Sequence, residues 1–129
     1  MAVKKLSHVT IIVRNQDEAL KWYTEKLGLE KRADDAATMP GYRWLTIAPK
    51  DQKDLEIVLF KARDAKEQGW VGQGTLWMLQ ADDCRATCKE LAAKGVKVLS
   101  EPQDYPWGIA ATVEDLYGNP FNILQLRSA

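Results

Sequence analysis

The chain contains one histidine, His8. No site can therefore hold two imidazoles unless two chains contribute, which narrows both metal and acid–base chemistry. Glu56 is the carboxylate whose setting needs explaining. It lies between Leu55 and Ile57 in an apolar run, where a carboxylate is costly unless it meets water, a cation or hydrogen-bond donors. Glu114 and Asp115 form an adjacent acidic pair, but their place beside Gly118-Asn119 reads as solvated turn residues. Ser7 adjoins His8, yet neighbours on a strand point to opposite faces, so no nucleophilic triad assembles. Cys84 and Cys88 share one face of a helix, their Cβ atoms about 5–6 Å apart. With no histidine near them they read as reduced packing thiols rather than a metal site or a required disulfide.

The remaining candidates are aromatic or apolar. Five tryptophans are present. Trp22 lies on a helical stripe, and Trp77 shares strand parity with Leu79 and Ala81, so both read as core. Trp70 falls near a loop. Trp44, mid-strand, and Trp107, near a loop, are the candidate ligand-facing aromatics. Leu76, Met78 and Gln80 share the opposite parity to Trp77 and would line the same surface. An aromatic wall with few polar groups suits a small-molecule site. Tyr105 and Tyr117 could each turn a hydroxyl inward, with Tyr117 the better brace for the turn. Arg43 falls on the face opposite Trp44, where a surface role outweighs carboxylate binding.

Composition bounds the classes open to the chain. Its 129 residues make one ordinary domain, or two small units sharing a core. Hydrophobic residues reach 46%, and 18 Lys+Arg balance 18 Asp+Glu. That excludes a disordered chain and argues against nucleic-acid binding, which needs surplus cations. No run approaches the apolar length of a membrane span, and no charged-then-apolar leader opens the sequence. The expectation is a soluble, cytoplasmic protein with neither membrane nor nucleic-acid partners.

These residues need elements to position them, and the pattern supplies the same set twice. Lys5–Val13 is rich in β-branched residues and reads as a strand. Asn15 or Gln16 opens a helix with Asp17 and Glu18 in its first turn, and Gly28 ends it. Strands follow at 29–36, 42–48 and 54–61. Residues 62–74, polar and glycine-rich, read as a linker with a helical turn near Asp64–Gln68. The order then recurs: a strand at 75–81, a helix capped by Asp82 or Asp83 and stopped by Gly95, and strands at 96–100, 109–113 and 121–126, with 102–106 as a loop. The two βαβββ modules, 1–61 and 75–129, are offset by about 68 residues. In each, one sheet face meets the helix and the other is bare, so two modules can curl their sheets into a shared trough.

At this point the sequence resembles the vicinal oxygen chelate superfamily, which includes glyoxalase I, extradiol dioxygenases, methylmalonyl-CoA epimerase, and fosfomycin- and bleomycin-resistance proteins. The matching residues are Leu6-Ser-His-Val-Thr and Asp17-Glu-Ala-Leu-Lys-Trp-Tyr-Thr-Glu-Lys-Leu-Gly28, then Asp54-Leu-Glu-Ile. In the second half they are Asp82-Asp-Cys-Arg-Ala-Thr-Cys-Lys-Glu-Leu-Ala-Ala-Lys-Gly-Val96 and Glu114-Asp-Leu-Tyr-Gly-Asn-Pro-Phe-Asn-Ile123. The resemblance implies an α+β fold of two βαβββ modules with curved mixed sheets, commonly paired as a homodimer. It also implies a divalent metal (Ni, Mn, Fe or Zn) held by one ligand from the first and fourth strands of each module.

Carried over by position, that pattern assigns His8 and Glu56 as metal ligands. The second module departs from it: Leu76 falls opposite His8 and Asn122 opposite Glu56. Leucine cannot ligate, and an amide oxygen does so weakly. The departure favours a metal-free trough that binds a small molecule through Trp44, Leu76, Met78, Gln80, Trp107 and Asn122. The retained His8–Glu56 pair keeps an enzyme in view, a lyase, isomerase or dioxygenase acting on a chelating oxygenated substrate with Glu56 moving the proton.

Overall fold

A computed structural model describes residues 3–127. In chain order the elements are β1 (His8–Val13), α1 (Gln16–Glu25), β2 (Glu30–Asp35), β3 (Trp44–Ala48), β4 (Glu56–Lys61), α2 (Ala65–Gln68), β5 (Trp77–Gln80), α3 (Cys84–Ala93), β6 (Lys97–Tyr105), β7 (Gly108–Glu114) and β8 (Pro120–Leu126). The chain divides into two compact units, one ending at Val71 and the next starting at Gly72. Each unit holds one four-stranded mixed sheet, in the orders β1-β4-β3-β2 and β5-β8-β7-β6. The first and last strands of each βαβββ run pair in parallel, and the other pairings are antiparallel.

In the first unit, Asn15 caps α1 by accepting from the Glu18 amide at 2.8 Å, with Asp17 and Glu18 in the first turn. Both effects offset the unpaired N–H groups of a helix start. Ala19 and Tyr23 are the helix residues fully buried, and Ile11, Val13, Ile57 and Leu59 supply buried strand residues. Burial alternates along the end of β1, whereas β4 buries Ile57, Val58 and Leu59 in succession. Trp22, expected in the core, is only half-buried, with its ring edge against Tyr23 at 5.0 Å. Tyr23 is the aromatic ring that α1 buries fully.

The polar stretch after β4 is folded rather than extended. Asp64 caps α2, and Glu67 turns inward, 6% exposed, to accept from both the backbone and the guanidinium of Arg63. The Arg63 bond holds the Glu67 carboxyl below the usual carboxylate range. Ala62 and Val71 are buried on either side of it.

In the second unit, Asp83 caps α3 by accepting from the Ala86 amide at 3.0 Å. Cys84 and Cys88 are buried free thiols on its inner face, and burial pushes both up, Cys88 to about 11. Two expectations fail here. The loop at 102–106 is strand: β6 runs through Pro102 to Tyr105. A proline has no N–H to donate, but β6 lies at a sheet edge and its pairing shifts between Ser100 and Gln103, so no ladder bond is lost at Pro102. Asp115, expected in solvent, is 5% exposed. It accepts from the amides of Tyr117 and Asn119 and from Asn119 Nδ2, each at 2.8 Å. Asn119 in turn accepts from the Gly74 amide. The turn is tight enough to aim its own N–H groups at one carboxylate.

Candidate functional site

The parallel ladder between β1 and β4 sets His8 directly opposite Glu56. Their side chains meet with Nε2 4.0 Å from Oε1, and they are 40% and 31% exposed. Glu56 does not depend on the imidazole. Thr46, buried in β3, donates its hydroxyl to Oε1 at 2.6 Å, and Oε2 takes no hydrogen bond among the described residues. Trp44, two residues earlier on β3, puts its ring edge-on to His8 at 5.4 Å. Ser7 lies just ahead of β1, outside the strand alternation, and its Oγ is 2.8 Å from His8 Nδ1. The expected separation of Ser7 and His8 is therefore wrong. Contact between them fixes the imidazole so that Nε2 points at Glu56, which is a positioning role.

The second unit repeats half of this arrangement. Thr112 donates to Asn122 Oδ1 at 3.0 Å, across the same ten-residue separation as Thr46 and Glu56. The ladder differs, because Asn122 pairs with Met78, not with Leu76. Leu76 lies seven residues before the α3 cap, as His8 lies before the α1 cap. Its backbone is in the left-handed region, φ 51°, and its amide donates to the Pro120 carbonyl at 3.1 Å. Leu76 thus precedes β5 instead of belonging to it, and its side chain is 61% exposed.

The donor set does not fit the metal implied by the resemblance. His8 and Glu56 supply two ligands, and the matching stations of the second unit supply leucine and an amide that already accepts from Thr112. Among the described residues no group of three His, Cys, Asp or Glu side chains is placed to hold an ion.

A cleft of about 370 Å³ opens within the second unit, on the sheet face that carries Met78, Thr112, Asn122 and Leu124. Tyr105 and Trp107 form its rim. Their rings stack at 5.3 Å and 2° from parallel, and they remain 42% and 46% exposed. Of the expected ligand-facing residues, Met78, Trp107 and Asn122 line this cleft. Trp44 borders a separate hollow of about 180 Å³ in the first unit, with Met39 and Tyr42. Leu76 and Gln80 line neither. Tyr105, expected to turn a hydroxyl inward, lines the cleft with its stacked ring, and Thr112 lines it without having been among the expected residues. Alternation along β7 could have found Thr112, but the stacking of Tyr105 depends on β6 continuing past Pro102.

The comparisons with known proteins agree with this architecture. The chain is similar to UcmS2, a solved structure, at 36% identity over 95% of this chain and 98% of that one, TM-score 0.85. It is similar to TnmS3, an antibiotic binding protein from Streptomyces sp. CB03234, at 30% identity over 98% and 99%, TM-score 0.83. It is also 31% identical to the uncharacterized protein YurT of Bacillus subtilis (strain 168), covering 94% of this chain and 98% of that one. The family model for the Glyoxalase/Bleomycin resistance protein/Dioxygenase superfamily matches residues 5–123, and with the repeated βαβββ fold this shows that the chain belongs to that superfamily.

Proposed function

We propose that the protein binds and sequesters a planar, largely apolar small molecule without a metal. The stacked, half-exposed Tyr105–Trp107 pair over a mainly apolar cleft carries this reading. Two parallel rings left open to water offer a flat π-surface that gains contact area when another flat ring lies on it. Asn122 and Thr112 at the cleft floor add one polar pair to orient the ligand. The likeness to an antibiotic binding protein supports the same class of activity. Pairing as a homodimer belongs to this reading, since both sheets end in edge strands that association would cover. A reducing, cytoplasmic compartment suits the two buried thiols.

The His8–Glu56–Thr46 cluster favours a second reading, an enzyme in which Glu56 moves a proton on a chelating oxygenated substrate. Calorimetric titration with neutral planar aromatics, 2-naphthol among them, separates the two. Saturable one-to-one binding is expected, weakened about tenfold in Trp107→Ala and unchanged in Glu56→Gln. Sequestration fails if no planar compound saturates, or if Trp107→Ala binds as tightly as the parent.

A further inference from the structure

A second cleft in the first unit lies away from His8 and Glu56. It has a volume of about 520 Å³ and sits where α1 begins, β3 begins and β4 ends. Lys61, which closes β4, is five residues beyond Glu56 along the same strand, about 17 Å at the usual strand rise. Lys61, Arg43 and Arg63 bring three cations to its wall, with the Tyr42 ring and the small residues Ala36, Gly41 and Ala62 between them. No carboxylate lines it among the described residues.

The two guanidinium groups are held from behind. Arg43 places Nε and Nη2 on Asp34, at 2.8 and 2.9 Å, and Nη1 on Asp17 at 2.7 Å. Arg63 places Nε and Nη2 on Glu67 and rests over the Phe60 ring at 5.1 Å. A guanidinium has five N–H donors in a planar fork. Each arginine therefore keeps N–H groups that its carboxylates do not use, on a fork already fixed in orientation. Lys61 makes no ion pair among the described residues, and its three donors are uncommitted. Gln16 fills its amide with the carbonyls of Arg43 and Leu59, at 3.1 and 2.8 Å, so it stiffens the wall and does not compete for a ligand.

We propose that this cleft is an anion site, taking the carboxylate or phosphate group of a small ligand against Lys61, Arg63 and Arg43. A wall with three cations and two preorganised forks suits such a group, because charge-assisted bonds to fixed donors lose little ordering entropy. The volume exceeds a bare ion and leaves room for a small organic body beside Tyr42. Its lining shares no residue with the aromatic cleft of the second unit.

The test uses the full-length protein and two probes, inorganic phosphate and acetate, followed by amide chemical shifts. Saturable shifts confined to residues 41–43 and 61–63 are expected with at least one probe, and the tighter probe assigns the group. Lys61→Gln should weaken binding about tenfold, Lys61→Arg should retain it, and Trp107→Ala should leave it unaltered. Equal melting temperatures for the Lys61 variants exclude misfolding as the cause. Shifts that fail to saturate, that scatter over the surface, or that persist at parental affinity in Lys61→Gln overturn the proposal.

Discussion

Leu76 holds a backbone conformation that its side chain disfavours. A left-handed φ crowds Cβ against the next carbonyl, at a cost of about 1–2 kcal/mol for an L-residue, and the side chain is 61% exposed, so little apolar burial offsets it. Leu76→Gly should therefore raise stability by up to about 1 kcal/mol, read as a higher urea midpoint at unchanged slope. A loss of stability would mean that the Leu76 side chain makes a contact worth more than the strain. The same residue explains why the second unit does not reproduce the His8–Glu56 pair. Both the side-chain type and the backbone geometry have changed there, so Leu76→His alone would not rebuild a facing imidazole.

At the scale of elements, Arg43 joins α1, β2 and β3 by bonding Asp17 and Asp34. Its side-chain bonds hold the Asp34 carboxyl below the usual carboxylate range. A group whose folded pKa is depressed contributes stability that is fully present above its unfolded pKa, near 3.9, and lost as pH falls through the lower folded value. Arg43→Gln should lower the melting temperature at neutral pH and bring it closer to the parent below about pH 4. A constant difference across that range would show that Arg43 acts by packing rather than through its charge. The elements themselves were largely legible. The caps at Asn15 and Asp83, the glycine stops and the strand alternation each depend on near neighbours in sequence. β6 was not legible past Pro102, since a proline is tolerated there only because the strand lies at a sheet edge, and edge position is a property of the whole sheet.

For the molecule as a whole, one βαβββ plan appears twice and its stations have diverged. The first unit keeps an imidazole and a carboxylate face to face. The second keeps the threonine bond to Asn122 and surrounds it with Met78 and stacked aromatics. With two donors instead of four, the chain loaded with Ni²⁺, Mn²⁺, Fe²⁺ or Zn²⁺ and then desalted should retain well under one equivalent of metal. Elemental analysis showing a full equivalent, lost in His8→Ala, would overturn this.

Residue order alone determined the repeat and the helix boundaries, because caps and turn signals act between near neighbours, whereas the meeting of His8 and Glu56 was implied by the resemblance and rests on the β1–β4 register. Only the tertiary structure decided that Ser7 reaches the imidazole, that Asp115 is buried in its own turn, and that Leu76 leaves the strand before Met78 meets Asn122. Those outcomes depend on backbone excursions at strand ends. There the alternation rule lapses: Ser7 and Asp115 meet near neighbours that strand parity would have turned away, and Leu76 bonds the distant Pro120 carbonyl.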